Sequence, residues 1–335
     1  PIGVRAHHYT DLNGFVHGFN FTFHPQLVPM IDITLENFQA ELIEGSVATP
    51  VLLDIWAEWC GPCKQLGPVL EKLEVEYAGR FTLAKLDADK VPQISSQLSE
   101  MFGVRSIPFC VMFKDGQPVD GFVGAIPAEK IREFLDKHVP GADEAEAASE
   151  EAAAQEALAE GDTGGALERL QHAVATDPAN DDARFDYIKL LLQEGRHDDA
   201  KVAFAPVIAK TTLVRRFDAL QRWMDAIDFA APPAGTAPAM ADFEAKIAAN
   251  KRDFDARFGR ARLLMAAQRW TDAMDELLDI LMRDKTWNED LARKTYIAIL
   301  DVIEPPKVKV ADGQIPPDDP VVATYRRRLS SVVLS

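Results

Sequence analysis

The sequence predicts an α/β domain followed by an all-α helical solenoid, and three observations carry the prediction. From Met30 to about Val139, short apolar runs alternate with segments of helical period. After Gly141 the chain turns rich in Ala and Glu, both strong helix formers. Beyond that the pattern stays helical, and small residues recur 34 positions apart, as at Gly161 and Gly195 or Ala166 and Ala200.

Residues 1–29 hold four of the seven histidines and have no hydrophobic period. They lack the apolar stretch of a secretory signal and read as a disordered N-terminal extension, with Met30 as the physiological start. VLLDIW (Val51 to Trp56) is a nearly continuous apolar run, as expected of a central strand covered on both faces. A helix follows from about Cys60 to Ala78, with Leu66, Val69, Leu70 and Leu73 on one face and a kink at Pro68. Residues 81–89 read as a strand, and VPQISSQLSEMF as a helix closed by Gly103. FCVMFKDGQPVDGFVG gives two strands joined by the hairpin turn Asp115-Gly116, and IPAEKIREFLDKHV a closing helix. These elements fill a first domain over residues 30–140.

Residues 141–160 read as an acidic linker that becomes the first helix at about Ala148. Residues 161–304 read as helical repeats. Positions 182–201 align without gaps on 255–274, sharing nine residues in twenty, among them Asp182, Ala183, Arg184 and Phe185 with Asp255, Ala256, Arg257 and Phe258. The period of 34, the small residues at the turns and Pro178 after a second helix resemble the tetratricopeptide repeat. APPAGTAP (231–238) reads as a loop between repeats, giving about four helical pairs with a degenerate middle one. Residues 305–335 read as a loop and a basic amphipathic C-terminal helix.

Length and composition agree with two or three soluble domains: 335 residues, 47% hydrophobic and 27% charged. The 36 basic against 53 acidic side chains leave a net charge of −17, which disfavours nucleic acid as a partner. No run of 18 apolar residues exists to span a membrane. No base occurs between Lys137 and Arg169, whereas Arg326, Arg327 and Arg328 form a basic cluster near the C-terminus.

Two of the three cysteines form one C-x-x-C, Cys60 and Cys63, at the start of the predicted helix. Thiols at i and i+3 can close a small disulfide ring, and the helix N-terminus stabilises a thiolate on the first. Cys60 is therefore the expected exposed nucleophile and Cys63 the resolving thiol one turn deeper. Gly61 and Pro62 set the turn, since proline forfeits no needed donor there. A lone C-x-x-C supplies two of the four ligands that structural zinc wants, so neither a metal nor a cofactor is expected. Cys110 reads as a core thiol, near the groove by its distance from Pro108.

The segment DIWAEWCGPCKQLGP resembles the thioredoxin family, and the likeness extends over residues 32–139. It implies a thioredoxin fold, a buried carboxylate at Asp54 that helps deprotonate Cys63, and a neighbouring lysine at Lys85. It also implies a cis-proline at Ile107-Pro108 and a groove for substrate backbone lined by Trp59, Gly61, Pro62, Ile107, Pro108 and Gly124. Taken with the acidic linker, the repeats, LARKTYIAIL and the tail YRRRL, the chain resembles bacterial chaperedoxins. That resemblance implies a cytoplasmic holdase that exchanges disulfides with unfolded or oxidised clients and passes them to GroEL/ES and DnaK. It implies an electron donor of the thioredoxin-reductase type and a partner-binding tail carrying Tyr325, Arg326, Arg327, Arg328, Leu329 and Leu334. A helix that merely caps the solenoid is the other reading of that tail. Two rival functions remain open: a disulfide reductase whose repeats bind one dedicated partner, and a non-enzymatic adaptor with a vestigial redox site.

Overall fold

The computed structural model describes residues 31–232, 235–305 and 318–334. The expected extension 1–29 lies outside them, as does most of the loop expected after residue 304. Strand β1 (Ile31–Asp32) leads through a wound stretch (Phe38–Glu44) into α1 (Gly45–Ala48), then β2 (Val51–Trp56) and α2 (Gly61–Glu76). Next come β3 (Thr82–Asp87), α3 (Pro92–Phe102), β4 (Phe109–Lys114), β5 (Gln117–Val123) and α4 (Ala128–His138). The five strands form one sheet in the order β1-β3-β2-β4-β5. β1, β3 and β2 run parallel, β4 is antiparallel to β2, and β5 is antiparallel to β4. Asp115 (φ 53°) and Gly116 (φ 83°) make the tight β4–β5 turn with both residues left-handed.

Strand alternation assigns the core to two layers. Leu53, Ile55, Val111 and Phe113 face Ile94 and Leu98 of α3. Leu52, Leu83, Cys110 and Met112 face Leu66, Leu70 and Leu73 of α2 and Ile131 and Leu135 of α4. Every strand position two residues from Leu52 shares the α2 face, and Asp54 is such a position. A charged residue is thus carried into the interior by the register of a buried central strand.

The acidic segment forms a helix from its outset. α5 spans Ala142–Glu160 rather than starting near Ala148. Asp143 and Glu144 lie in its first turn, and the Glu144 carboxylate accepts a hydrogen bond from the Gly141 amide at 3.3 Å. Acids there complement the helix dipole, so the helix nucleates at the start of the stretch. Then follow α6 (Thr163–Thr176), α7 (Asp181–Gln193), α8 (His197–Phe204), α9 (Arg215–Ala230) and α10 (Met240–Ala249). α11 (Phe254–Ala266), α12 (Trp270–Leu281), α13 (Trp287–Ile303) and α14 (Pro320–Leu334) complete the array. The eight helices α6–α13 fill the span expected for four pairs, and α5 packs on α6 at one end while α14 packs on α12 and α13 at the other. The middle of the array is irregular: α8 gives way at Pro206 to a 3-10 turn (Ala205–Lys210). Residues Asn288 to Asp290 at the start of α13 are left-handed, and regular helix begins at Leu291.

The two aligned segments form matching structures. Asn180 and Asp253 cap α7 and α11 by accepting from Ala183 N and Ala256 N, each at 2.9 Å. Arg184 and Arg257 are both buried; Arg184 donates to the Ala203 carbonyl, and Arg257 pairs with Glu276 and Asp279. Arg196–Asp199 and Arg269–Asp272 repeat at 2.8 Å. At the turn between the paired helices, Gly195 takes φ 72° in one copy and Gln268 takes φ 57° in the other.

Glycine adopts that conformation without the Cβ clash that costs other residues about 1–2 kcal/mol. Gln268→Gly is therefore expected to raise stability by about 1 kcal/mol in urea denaturation, despite losing the exposed bond to the Gln193 carbonyl. An unchanged or lower midpoint would show that this side-chain bond outweighs the strain.

Candidate functional site

The site lies where β2 ends and α2 begins, at the carboxyl edge of the parallel strands. Cys60 caps α2, and its Sγ accepts from the Cys63 amide at 3.2 Å. Gly61 and Pro62 form the first turn, where Pro62 needs no amide donor. The two sulfurs are joined in a disulfide, with Cα atoms 5.3 Å apart. Cys60 is not exposed as expected. Each cysteine is only 3% accessible, because Ala57, Trp56 and Ile107 pack around the pair.

Ile107-Pro108 is a cis peptide, and the Ile107 side chain packs against the cysteine pair. The Pro108 carbonyl accepts from Gly124 N at 2.8 Å, with Gly124 at φ 88°. A side chain there would strain the turn that ties the end of β5 to the cis-proline loop. Trp59 is 71% exposed beside the disulfide and donates from Nε1 to Asp89 at 2.9 Å. Trp59, Gly61, Pro62, Ile107, Pro108 and Gly124 thus come from three separated segments of the chain to one end of the sheet.

Asp54 is 1% exposed and sits in a row across the sheet, paired in register with Lys85 on β3 and Cys110 on β4. Lys85 is its strand neighbour but not its ion-pair partner. The Lys85 ammonium instead meets Glu71 at 2.6 Å. Asp54 accepts from the Cys110 thiol at 3.7 Å, a long, weak bond of the kind sulfur makes. Cys110 therefore lies under the sheet against the carboxylate rather than in the groove, because its strand position points to the α2 face. Burial pushes the Asp54 carboxyl from 3.8 to about 6, against the pull of Lys85 and the thiol bond. Burial likewise pushes the Cys110 thiol well up, and the Asp54 charge adds to the shift.

A cavity of about 220 Å³ joins these groups. Asp54, Trp56, Cys63, Gly67, Glu71 and Lys85 line it. Its wall is more apolar than polar, yet it has room for water beside Asp54, Glu71 and Lys85. Pro68 also lines it; having no amide, it leaves the Lys64 carbonyl without its helical partner. Glu71 and Cys110 had no assigned place in this site from the sequence. Glu71 follows Gly67 by one helical turn on the cavity face, which is the signal that could have found it.

Residues 29–137 match the thioredoxin family model. The chain is 44% identical over 108 residues to thioredoxin of Chlorobaculum thiosulfatiphilum, covering 94% of that protein and 32% of this chain. The chain belongs to the thioredoxin family. Thioredoxin 1 of Synechococcus elongatus is 41% identical over 107 residues (94% of it, 32% of this chain), and Staphylococcus aureus thioredoxin 49% over 110 (98% and 33%). Tetratricopeptide repeat models match residues 157–224 and 233–333, so a thioredoxin domain is followed by tetratricopeptide repeats. No helix among the described residues is long and apolar enough to cross a membrane.

The C-terminal residues do not form a free tail. Val322 of α14 is buried, and Tyr325, Leu329 and Val332 pack on the core beneath α12 and α13. The Tyr296 hydroxyl donates to the Tyr325 carbonyl at 2.8 Å. Arg328 pairs with Asp275 at 2.6 Å and Arg326 with Glu304 at 2.8 Å. Tyr325 and Leu329 are thus turned inward by the amphipathic face that suggested a docking helix. Arg327 is exposed, and Leu334 is 86% accessible.

Because the fold disfavours the ionised form of Asp54, its contribution to stability is greatest below its ordinary pKa. That contribution declines as pH rises from about 4 through 6. Asp54→Asn is expected to stabilise the protein at pH 7 by up to about 3 kcal/mol, with the gain vanishing near pH 4. Urea midpoints at the two pH values check this, and an equal gain at both would show that charge burial is not the cause.

Proposed function

We propose that the chain is a thioredoxin-type protein-disulfide reductase whose repeats hold polypeptide substrates near the active site, as in a chaperedoxin. The observation that carries the redox part is a buried carboxylate sharing one cavity with Cys63, beneath a disulfide capping α2. In the reduced protein, the Cys60 thiolate attacks one sulfur of a client disulfide. A Cys60–client disulfide forms and one client thiolate leaves. Asp54 then accepts the Cys63 proton through the cavity, and the Cys63 thiolate attacks the Cys60 sulfur. The second client thiolate leaves, and the Cys60–Cys63 disulfide remains. A thioredoxin-reductase-type donor must return two electrons before the next turn.

The Trp59, Pro108 and Gly124 surfaces would position the client backbone, and the array would raise its local concentration at Cys60. In this reading the protein acts in the cytoplasm, holds unfolded or oxidised clients, and transfers them to GroEL/ES and DnaK. The packing of α14 counts against a free docking tail, and a second reading, in which the repeats bind one dedicated partner, needs no such tail. With Tyr325 and Leu329 turned inward, a chaperonin contact at the tail would fall to Arg327 and Leu334. Suppression of heat-induced aggregation of citrate synthase supports the holdase reading, and unchanged light scattering favours the dedicated-partner one.

Cys63→Ser removes the resolving thiol and should trap clients on Cys60 as adducts seen in non-reducing gels and absent in the Cys60→Ser, Cys63→Ser double variant. Native-like insulin reduction by Cys60→Ser would overturn the reductase assignment. Resolution should slow as pH falls through about 6, where Asp54 gains a proton. Cys110→Val removes the thiol donor and should move that midpoint upward, whereas Cys110→Ser should hold it. Superimposable pH profiles for all three proteins would show that Cys110 has no hold on Asp54.

A further inference from the structure

The cavity beneath the disulfide is lined by Lys64, Glu71 and Lys85 as well as by Asp54 and Cys63. Lys85 stands beside Asp54 in the β2–β3 register, so both side chains leave the sheet on the α2 face. A lysine in that position has a carboxylate next to it on the neighbouring strand, and that carboxylate is buried. Its ammonium nevertheless lies 2.6 Å from Glu71 on α2, whose side chain is 50% accessible against 13% for Lys85. A Cβ on Gly67 would stand 3.6 Å from this ammonium, so the cation reaches Glu71 across the bare backbone of α2. Lys64, the other cation of the cavity wall, is exposed.

Two carboxylates thus compete for one ammonium. Glu71 keeps much of its hydration, so pairing with it leaves the cation partly solvated, whereas pairing with Asp54 would strip water from both ions. The remaining neighbours of Asp54 bring no second cation. Cys110 on β4 offers a thiol at 3.7 Å, and Cys63 on α2 is bound in the disulfide. Glu74, the next acid on α2, accepts from the Leu83 amide at 2.7 Å. Helix α4 presents Ile131 and Leu135 to this layer. Lys85 is the strongest influence favouring ionised Asp54, and the direct charge of Glu71 ranks behind burial, Lys85 and the thiol.

We propose that Glu71 is a positioning residue for the resolving step: it draws the Lys85 ammonium to the cavity mouth and so keeps Asp54 without a paired cation. The proposal rests on the reading of Asp54 as the base for Cys63. Glu71 touches neither sulfur nor client and acts through Lys85. Without its charge, the flexible stem of Lys85 can turn the ammonium toward the buried carboxylate. An opposite charge at that distance favours the ionised form, so Asp54 would hold its proton less firmly.

The test reads Asp54 directly in the full chain, by carbon NMR of protein labelled at the aspartate carboxyls. The disulfide form is used, in which neither Cys60 nor Cys63 titrates, and Asp54→Asn assigns the signal. Glu71→Gln should lower the Asp54 midpoint from about 6 by at least about half a unit. Lys85→Met should raise it. Adding Glu71→Gln to Lys85→Met should move the midpoint less than about half as far as Glu71→Gln does alone. In the reduced protein, resolution of the client disulfide by Glu71→Gln should persist to correspondingly lower pH. A native Asp54 midpoint in Glu71→Gln would overturn the proposal. So would an equal fall with and without Lys85, which would mean that Glu71 acts by its own charge. A lowered midpoint with an unmoved resolution profile would sustain the hold of Glu71 on Lys85 while removing Asp54 as the base of the resolving step.

Discussion

A carboxylate held inside a sheet without a cation of its own is the constraint around which the thioredoxin domain is built. Asp54 reaches the interior because β2 is covered on both faces, so strand alternation must send one of each neighbouring pair toward α2. The lysine beside it in register is taken by Glu71 at the cavity mouth. What remains for Asp54 is a weak thiol donor and space for water. Such an arrangement costs stability near neutrality and leaves a carboxyl pushed up to about 6 on the cavity that Cys63 also lines. The disulfide, the cis-proline loop and Gly124 are arranged on the rim above it.

Much of this domain was legible in the sequence because its signals are local. The Asp115-Gly116 turn, the left-handed Gly103 and the continuous apolar run of β2 each follow from a few adjacent residues. The pairing of Cys60 with Cys63 follows from their spacing at a helix start. What was not legible depends on segments far apart in the chain. Cys60 is covered because Ile107, from a distant loop, lies on it. Lys85 reads as the neighbour of Asp54 and is one, but its ion pair with Glu71, from the next layer, is not legible. Cys110 reads as a core thiol and is one, but its contact with Asp54 depends on the register of β2 against β4.

The helical array shows the same division. The shared residues of 182–201 and 255–274 correspond to shared caps and shared Arg–Asp pairs, so the repeat was readable in detail. The face by which α14 attaches was not, since a basic amphipathic pattern suits a free docking helix and a packed one equally. Only the positions of Tyr296, Asp275 and Glu304 decide for packing. The α5 boundary was missed for another reason: a uniform Ala/Glu composition has no internal mark of where winding begins.

The early start of α5 has a mechanical side. Helix α4 ends at His138 and α5 begins at Ala142, so three residues join the thioredoxin domain to the repeats. One of them, Pro140, is gripped through its carbonyl by Arg80 at 3.0 Å. A joint this short leaves almost no leash. The reach of the repeats relative to the cysteine pair is therefore limited by three residues, not by a long flexible tether.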